Sequence, residues 1–99
     1  MDKKDITAEQ VAQWKKEYGK VFTAEADDKK AYYRKPTRKE LSYAMTLQNQ
    51  PLDMTEMLLK SCFLGGDSQM HEDTDYLLGC SGELVERMVQ IKKVEVGEV

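Results

Sequence analysis

The run Lys20-Val21-Phe22-Thr23-Ala24-Glu25, followed after Asp27-Asp28 by Lys30-Ala31-Tyr32-Tyr33-Arg34-Lys35, decides the fold class. Both halves are rich in β-branched and aromatic residues, and two aspartates stand between them, which predicts a β-hairpin. The turn has no Asn-Gly or Asp-Gly, so a loop longer or less regular than two residues is expected. Pro36 ends the second strand. Two strands alone are marginal in water, so the hairpin must lie on helices or pair with another chain.

Helical signals flank the hairpin on both sides. Before it, Thr7 reads as an N-cap with Gln10 completing a capping box, and Ile6 and Val11 are placed as a hydrophobic staple. Val11, Trp14 and Tyr18 fall on one face and Lys15, Lys16 and Glu17 on the other, with Gly19 as the stop, so a helix is expected over 8–18. After it, Thr37-Arg38-Lys39-Glu40 reads as a capping box opening a helix over 38–49, with Leu41, Ala44, Met45 and Gln48 at helical spacing until Asn49-Gln50-Pro51. Asp53 then caps a third helix, with Glu56 three residues on and Leu52 opposite Met57, which Gly65-Gly66 ends. Residues 65–75 read as a loop, Asp73 or Thr74 as a further cap, and a short turn near 75–80 precedes a helix over 82–94. Leu77, Leu84, Met88 and Ile91 form the stripe of this last part. The expectation is an α+β fold: N-terminal helix, β-hairpin, then a bundle of three to four helices.

Ninety-nine residues, 40% hydrophobic and 33% charged, bury one modest core, so a single domain over 1–99 is expected, with residues 1–5 and 95–99 frayed. No run approaches the length of a membrane span, and no apolar stretch follows the polar start, so a soluble, cytoplasmic protein is expected. Two cysteines, Cys62 and Cys80, fit free thiols in a reducing compartment better than a disulfide framework. A net charge of -3 argues against a general nucleic-acid binder.

Charge is unevenly placed. Residues 29–40 carry six basic side chains against Glu40 alone, a local balance of +5, while residues 41–99 carry a balance of -6. Arg38 and Lys39 fall in the first turn of a helix, where the macrodipole disfavours cations by about 0.3 to 1 kcal/mol each. One reading is a docking surface for an acidic partner, with Tyr32, Tyr33, Arg34, Lys35, Pro36, Arg38 and Lys39 supplying Tyr and Arg content typical of interfaces. The other is a solvated strand edge whose lysines discourage aggregation. Stacking on single-stranded nucleic acid is a third reading. Met54 and Met57 sit on a helix whose apolar stripe is wider than a small core requires, which suits either a partner groove or core filling.

Catalysis and cofactors find little support. Cys62, His71 and Cys80 stand alone, without the paired spacing of zinc ligands, and Asp67, Asp73 and Asp75 lack the ligand order of a calcium loop. No phosphate-cradling glycine motif or paired general acid and base stands out. A non-enzymatic protein without cofactor is expected.

Two segments carry a family resemblance: Tyr33-Arg34-Lys35-Pro36-Thr37-Arg38, and Leu58-Leu59-Lys60-Ser61-Cys62-Phe63-Leu64-Gly65-Gly66-Asp67. With the helix ending in Trp-Lys-Lys-Glu-Tyr-Gly before them and a helix after, residues 14–93 resemble small proteins of tailed bacteriophages and prophages, similar to tail assembly chaperones. The resemblance implies binding of a phage structural protein such as the tape measure protein in the cytoplasm of the bacterial host, as a homo-oligomer. It assigns Tyr33, Arg34, Pro36, Thr37 and Arg38 to contacts, and Leu59, Cys62, Gly65, Gly66 and Asp67 to the fold. Gly65 would then be a left-handed helix stop. The alternatives are a small virion component, or an inhibitor of a host protein that uses the acidic second half, including Glu72, Asp73, Asp75, Glu83 and Glu86.

Overall fold

In a computed structural model that describes residues 6–89 and 93–99, the two extended runs form β1 (Val21–Ala26) and β2 (Lys29–Arg34), paired antiparallel from Val21 opposite Arg34 to Ala26 opposite Lys29. The loop is two residues long. Asp27 and Asp28 take φ of 49° and 66°, the positive values that a type I′ turn requires at both central positions. The expected longer loop is therefore corrected: aspartate tolerates the left-handed region well enough to close a tight hairpin without glycine. The turn is held from outside as well, because the Tyr76 hydroxyl donates to Asp27 Oδ2 at 2.9 Å.

The hairpin gains its third strand from its own chain. β3 (Phe63–Gly66) pairs antiparallel with β2, giving the order β1-β2-β3, with a bulge where Tyr32 faces Gly65 and Tyr33 faces Phe63. This corrects the reading of Gly65-Gly66 as a helix stop. The third helix ends at Cys62 and passes straight into extended backbone at Phe63 (ψ 127°). Gly65 serves close packing instead: a Cβ there would lie 3.0 Å from the Trp14 ring. Gly66 has φ 99°, and a Cβ on it would come within 2.3 Å of the Lys30 carbonyl oxygen, so only glycine fits this end of the strand.

Side-chain alternation divides the sheet into two faces. On one, Tyr32 and Gly65 meet α1 (Ala8–Tyr18), whose Trp14 ring stands 5.6 Å from the Tyr32 ring. The cap of α1 is as read: the Thr7 hydroxyl accepts from the Gln10 N–H, and Gly19 at φ 89° stops the helix. On the other face, Phe22, Ala24, Ala31 and Tyr33 join the core built with the later helices. These are α2 (Arg38–Met45), α3 (Pro51–Cys62), α4 (Gln69–Glu72), α5 (Thr74–Cys80) and α6 (Glu83–Met88). α3, α4 and α6 pack against the sheet, whereas α2 packs chiefly on α3, and α5 on α3, α4 and α6. The core combines Ala31 and Tyr33 from β2 with Leu59 and Cys62 of α3, Met70 of α4, Leu77 and Cys80 of α5, and Leu84 and Met88 of α6.

Several boundaries shift for identifiable reasons. α2 keeps its capping box, with Glu40 N–H to Thr37 Oγ1 and Thr37 N–H to Glu40 Oε1, but ends at Met45 and unwinds through turns to Gln50. α3 starts at Pro51, not after Asp53. Proline's fixed φ suits the first helical position, where its missing N–H costs nothing, so Pro51 opens α3 rather than stopping α2, which has already ended at Met45. The expected loop over 65–75 contains the end of β3 and the single turn α4, and Asp73 caps α5 by accepting from the Asp75 N–H. The helix expected over 82–94 closes at Met88; Ile91 and the expected fraying of 1–5 lie outside the described residues. Residues 93–99 have no regular structure and are exposed. No helix among the described residues is long and apolar enough to cross a membrane.

Candidate partner-binding surface

The basic segment after β2 is organised around one ion pair. Arg34, the last residue of β2, places Nη1 2.9 Å from Glu40 Oε1 and Nη2 2.8 Å from Glu40 Oε2, a bidentate clamp between the strand and the first turn of α2. The same Nη2 donates to the Ser61 carbonyl at 2.7 Å, so the guanidinium also caps the C-terminal end of α3. Its face lies 5.9 Å from the Tyr18 ring. Hydrogen bonding to Arg34 is the main reason the Glu40 carboxyl drops from the usual 4.5 to about 2, with the Thr37 amide also lowering it. A negative Glu40 at the third helical position supplies the charge that offsets Arg38 and Lys39 in the same turn.

The expected contact residues therefore part company. Tyr33 is fully buried and Pro36 is buried, so neither offers a surface, and Arg34 is committed to the clamp. Tyr32 is 9% exposed, covered by the Trp14 ring and by the Lys30 ammonium 5.3 Å from its centroid. Met54 and Met57 are half-buried, and Met57 Sδ accepts from the Ser61 hydroxyl at 3.6 Å. Of the predicted group, Lys35, Arg38 and Lys39 remain exposed.

These three are joined by residues that the sequence reading left out. Helical spacing sets Arg38, Lys39, Ser42, Tyr43 and Met45 on one arc of α2, and all five are exposed, while Glu40, Leu41 and Ala44 point the other way. Tyr43 is 62% and Met45 60% exposed, and Leu52 at the start of α3 adds 39%. Met45, expected in the inward stripe, faces outward because α2 packs chiefly on α3, with Ala44 its one buried residue, and among the described residues no other element packs comparably on it. The signal was present in Tyr43, which lies off the Leu41-Ala44 stripe.

Beneath this surface the chemistry is sequestered. The Tyr33 hydroxyl lies 2.9 Å from His71 Nδ1, and the imidazole packs edge-on against Phe63 at 5.0 Å. Burial raises the Tyr33 pKa and lowers that of His71, so the two share this hydrogen bond as neutral groups, its direction set by the imidazole tautomer. Burial likewise raises both thiols, Cys62 to about 11, and both are free and buried. Neither thiol is poised as a nucleophile. Among the described residues no three His, Cys, Asp or Glu side chains are grouped to hold a metal ion.

The acidic residues weighed for an inhibitor, Glu72, Asp73, Asp75, Glu83 and Glu86, are all exposed along α4 to α6, with Glu83 paired to Arg87 at 2.7 Å. No protein-family model matches the chain, and no significant match is found among curated proteins or solved structures.

Proposed function

We propose that this protein is a non-enzymatic binding module that engages a structural partner through the outward arc of α2 and the start of α3, in the manner of a phage tail assembly chaperone. The observation that carries the reading is the exposure of Tyr43, Met45 and Leu52 beside Lys35, Arg38 and Lys39. Aromatic and thioether side chains adapt to varied apolar sequences, and a cationic rim favours an acidic or amphipathic helix in a groove. The scaffold supports this use, because α2 is held by its capping box and the Arg34–Glu40 clamp rather than by its outer face. The tape measure protein, long and aggregation-prone before the tail tube surrounds it, is the class of partner that the resemblance of 33–38 and 58–67 suggests.

A tagged capture from the source cells during phage production tests the reading, with bound proteins identified by mass spectrometry. The control is the double reversal Arg38→Glu and Lys39→Glu, alongside Tyr43→Ser with Met45→Ser. Acidic residues in a first helical turn favour the helix by about 0.3 to 1 kcal/mol each, so lost capture by the reversal does not come from unfolding. Recovery of a long helical phage protein that both variants lose supports the proposal. Recovery of a host nuclease or polymerase subunit instead, unaffected by either variant, refutes it and moves the binding surface to α4 to α6.

A further inference from the structure

We infer that the chain self-associates by strand exchange, residues 94–99 of one copy adding to the free edge of β1 in a second copy. The first ground is the edge itself. A two-residue loop makes Ala26 and Lys29 a hydrogen-bonded pair, and alternation then makes Ala24–Ala31 and Phe22–Tyr33 hydrogen-bonded pairs too. The N–H and C=O groups of Val21, Thr23 and Glu25 therefore point away from β2. Among the described residues none of them makes another backbone hydrogen bond. Natural edges are usually blunted by bulges, proline or inward charge, and β1 has a regular register, no proline, and a lone Glu25 already 3.5 Å from Lys30.

The second ground is the space beside that edge. A groove of about 620 Å³ runs between β1 and α5 to α6, with Phe22, Ala24, Met70, Tyr76, Cys80 and Leu84 in its walls. It is open, spans all six residues of the strand, and sets these apolar walls beside the charged Glu25, Asp75, Glu83 and Arg87.

The third ground is the occupant. Residues 93–99 read Lys-Val-Glu-Val-Gly-Glu-Val, β-branched residues alternating with polar ones over Val94-Glu95-Val96, the period of a strand with one buried face. Val94 is 73% and Val96 92% exposed, and Val99 stands fully in solvent, so in its own chain this segment lies away from the groove. With Val94 and Val96 turned into the groove beside Phe22 and Ala24, Glu95 falls on the other side of the sheet. There Lys15 and Lys30 line the surface next to Val21 and Thr23, giving charge complementarity. Main-chain hydrogen bonds supply affinity and the alternating valines supply register, as in β-strand addition generally. Reciprocal exchange closes a twofold dimer.

The test is sedimentation of the full chain over a concentration series, compared with Val94→Lys/Val96→Lys and with Thr23→Pro. The tail variant changes residues that are largely exposed in the single chain, so it folds; Thr23→Pro removes an N–H that faces away from β2. Expected is a mass about twofold that of one chain for the native protein, the single-chain mass for each variant, and weaker association when the two variants are mixed, since the mixed pair restores one of the two exchanges. A native chain that stays single at every concentration overturns the inference, as does a tail variant that still associates. Neither result bears on capture of a structural partner through α2, which is read separately.

Discussion

Replacing Glu40 with glutamine isolates the clamp that holds α2 to the sheet. In the folded protein the carboxyl titrates at about 2 against an ordinary 4.5, a difference that corresponds to at most about 3.4 kcal/mol. The Glu40 side chain is 24% exposed and that of Arg34 18%, so solvent on one side screens the pair, and about 1 to 2 kcal/mol is the expected contribution. Because the folded value lies below the unfolded one, this stabilisation is complete above about pH 5 and is lost as pH falls through 4.5 towards 2. Urea unfolding followed by Trp14 fluorescence reads it directly, since the indole packs on Tyr32 and becomes exposed on unfolding. With a slope near 1 kcal/mol per molar urea, Glu40→Gln lowers the midpoint by about 1 to 2 M at pH 7. At pH 2.5 the two proteins should differ by much less. Equal midpoints at pH 7, or a gap that persists undiminished at low pH, would refute the reasoning that charge pairing at Arg34 is what fixes α2.

Three further outcomes follow from the same geometry. Tyr33→Phe leaves the buried His71 Nδ1 without its hydrogen-bond partner and should cost about 1 to 3 kcal/mol in the same unfolding assay. His71 itself, kept neutral by burial, contributes stability that is present above about 6.5 and lost as pH falls below it, which NMR titration of its imidazole will show as a depressed midpoint. Gly66→Ala meets the Lys30 carbonyl oxygen at an unfavourable φ and should cost at least about 2 kcal/mol, whereas Gly65→Ala displaces the Trp14 ring, costs less, and shifts its emission.

What the sequence disclosed depends on how local each determinant is. α1, the hairpin and the start of α2 were legible because Thr7, Gly19, Thr37 and Glu40 act within four residues of themselves. β3 was not, because Phe63-Leu64-Gly65-Gly66 becomes a strand only through pairing with Tyr32 and Tyr33 some thirty positions earlier. Pro51 was read as a stop, whereas its rigid φ starts the next helix. At the candidate surface, the cations Lys35, Arg38 and Lys39 were found by charge counting, yet charge counting could not distinguish them from Arg34. Only the fold brings Arg34 against Glu40 and Ser61, and only the packing of α2 on α3 turns Tyr43 and Met45 outward.

Of residues 38–54, all of them described, Ala44 alone is buried; the continuous core begins again at Thr55. This span is an excursion between two paired strands whose ends, Tyr33 and Phe63, are neighbours across the sheet. Substitutions at its exposed positions are therefore close to neutral for folding so long as Glu40, Ala44, the half-buried Leu41, Leu47 and Met54, and the Pro51 start are kept. Such a segment can drift quickly in sequence while the sheet beneath it stays unchanged. A lineage could recast this surface by rewriting a dozen exposed positions, and a protein engineer could use the same span as a replaceable cassette on a fixed β-sheet.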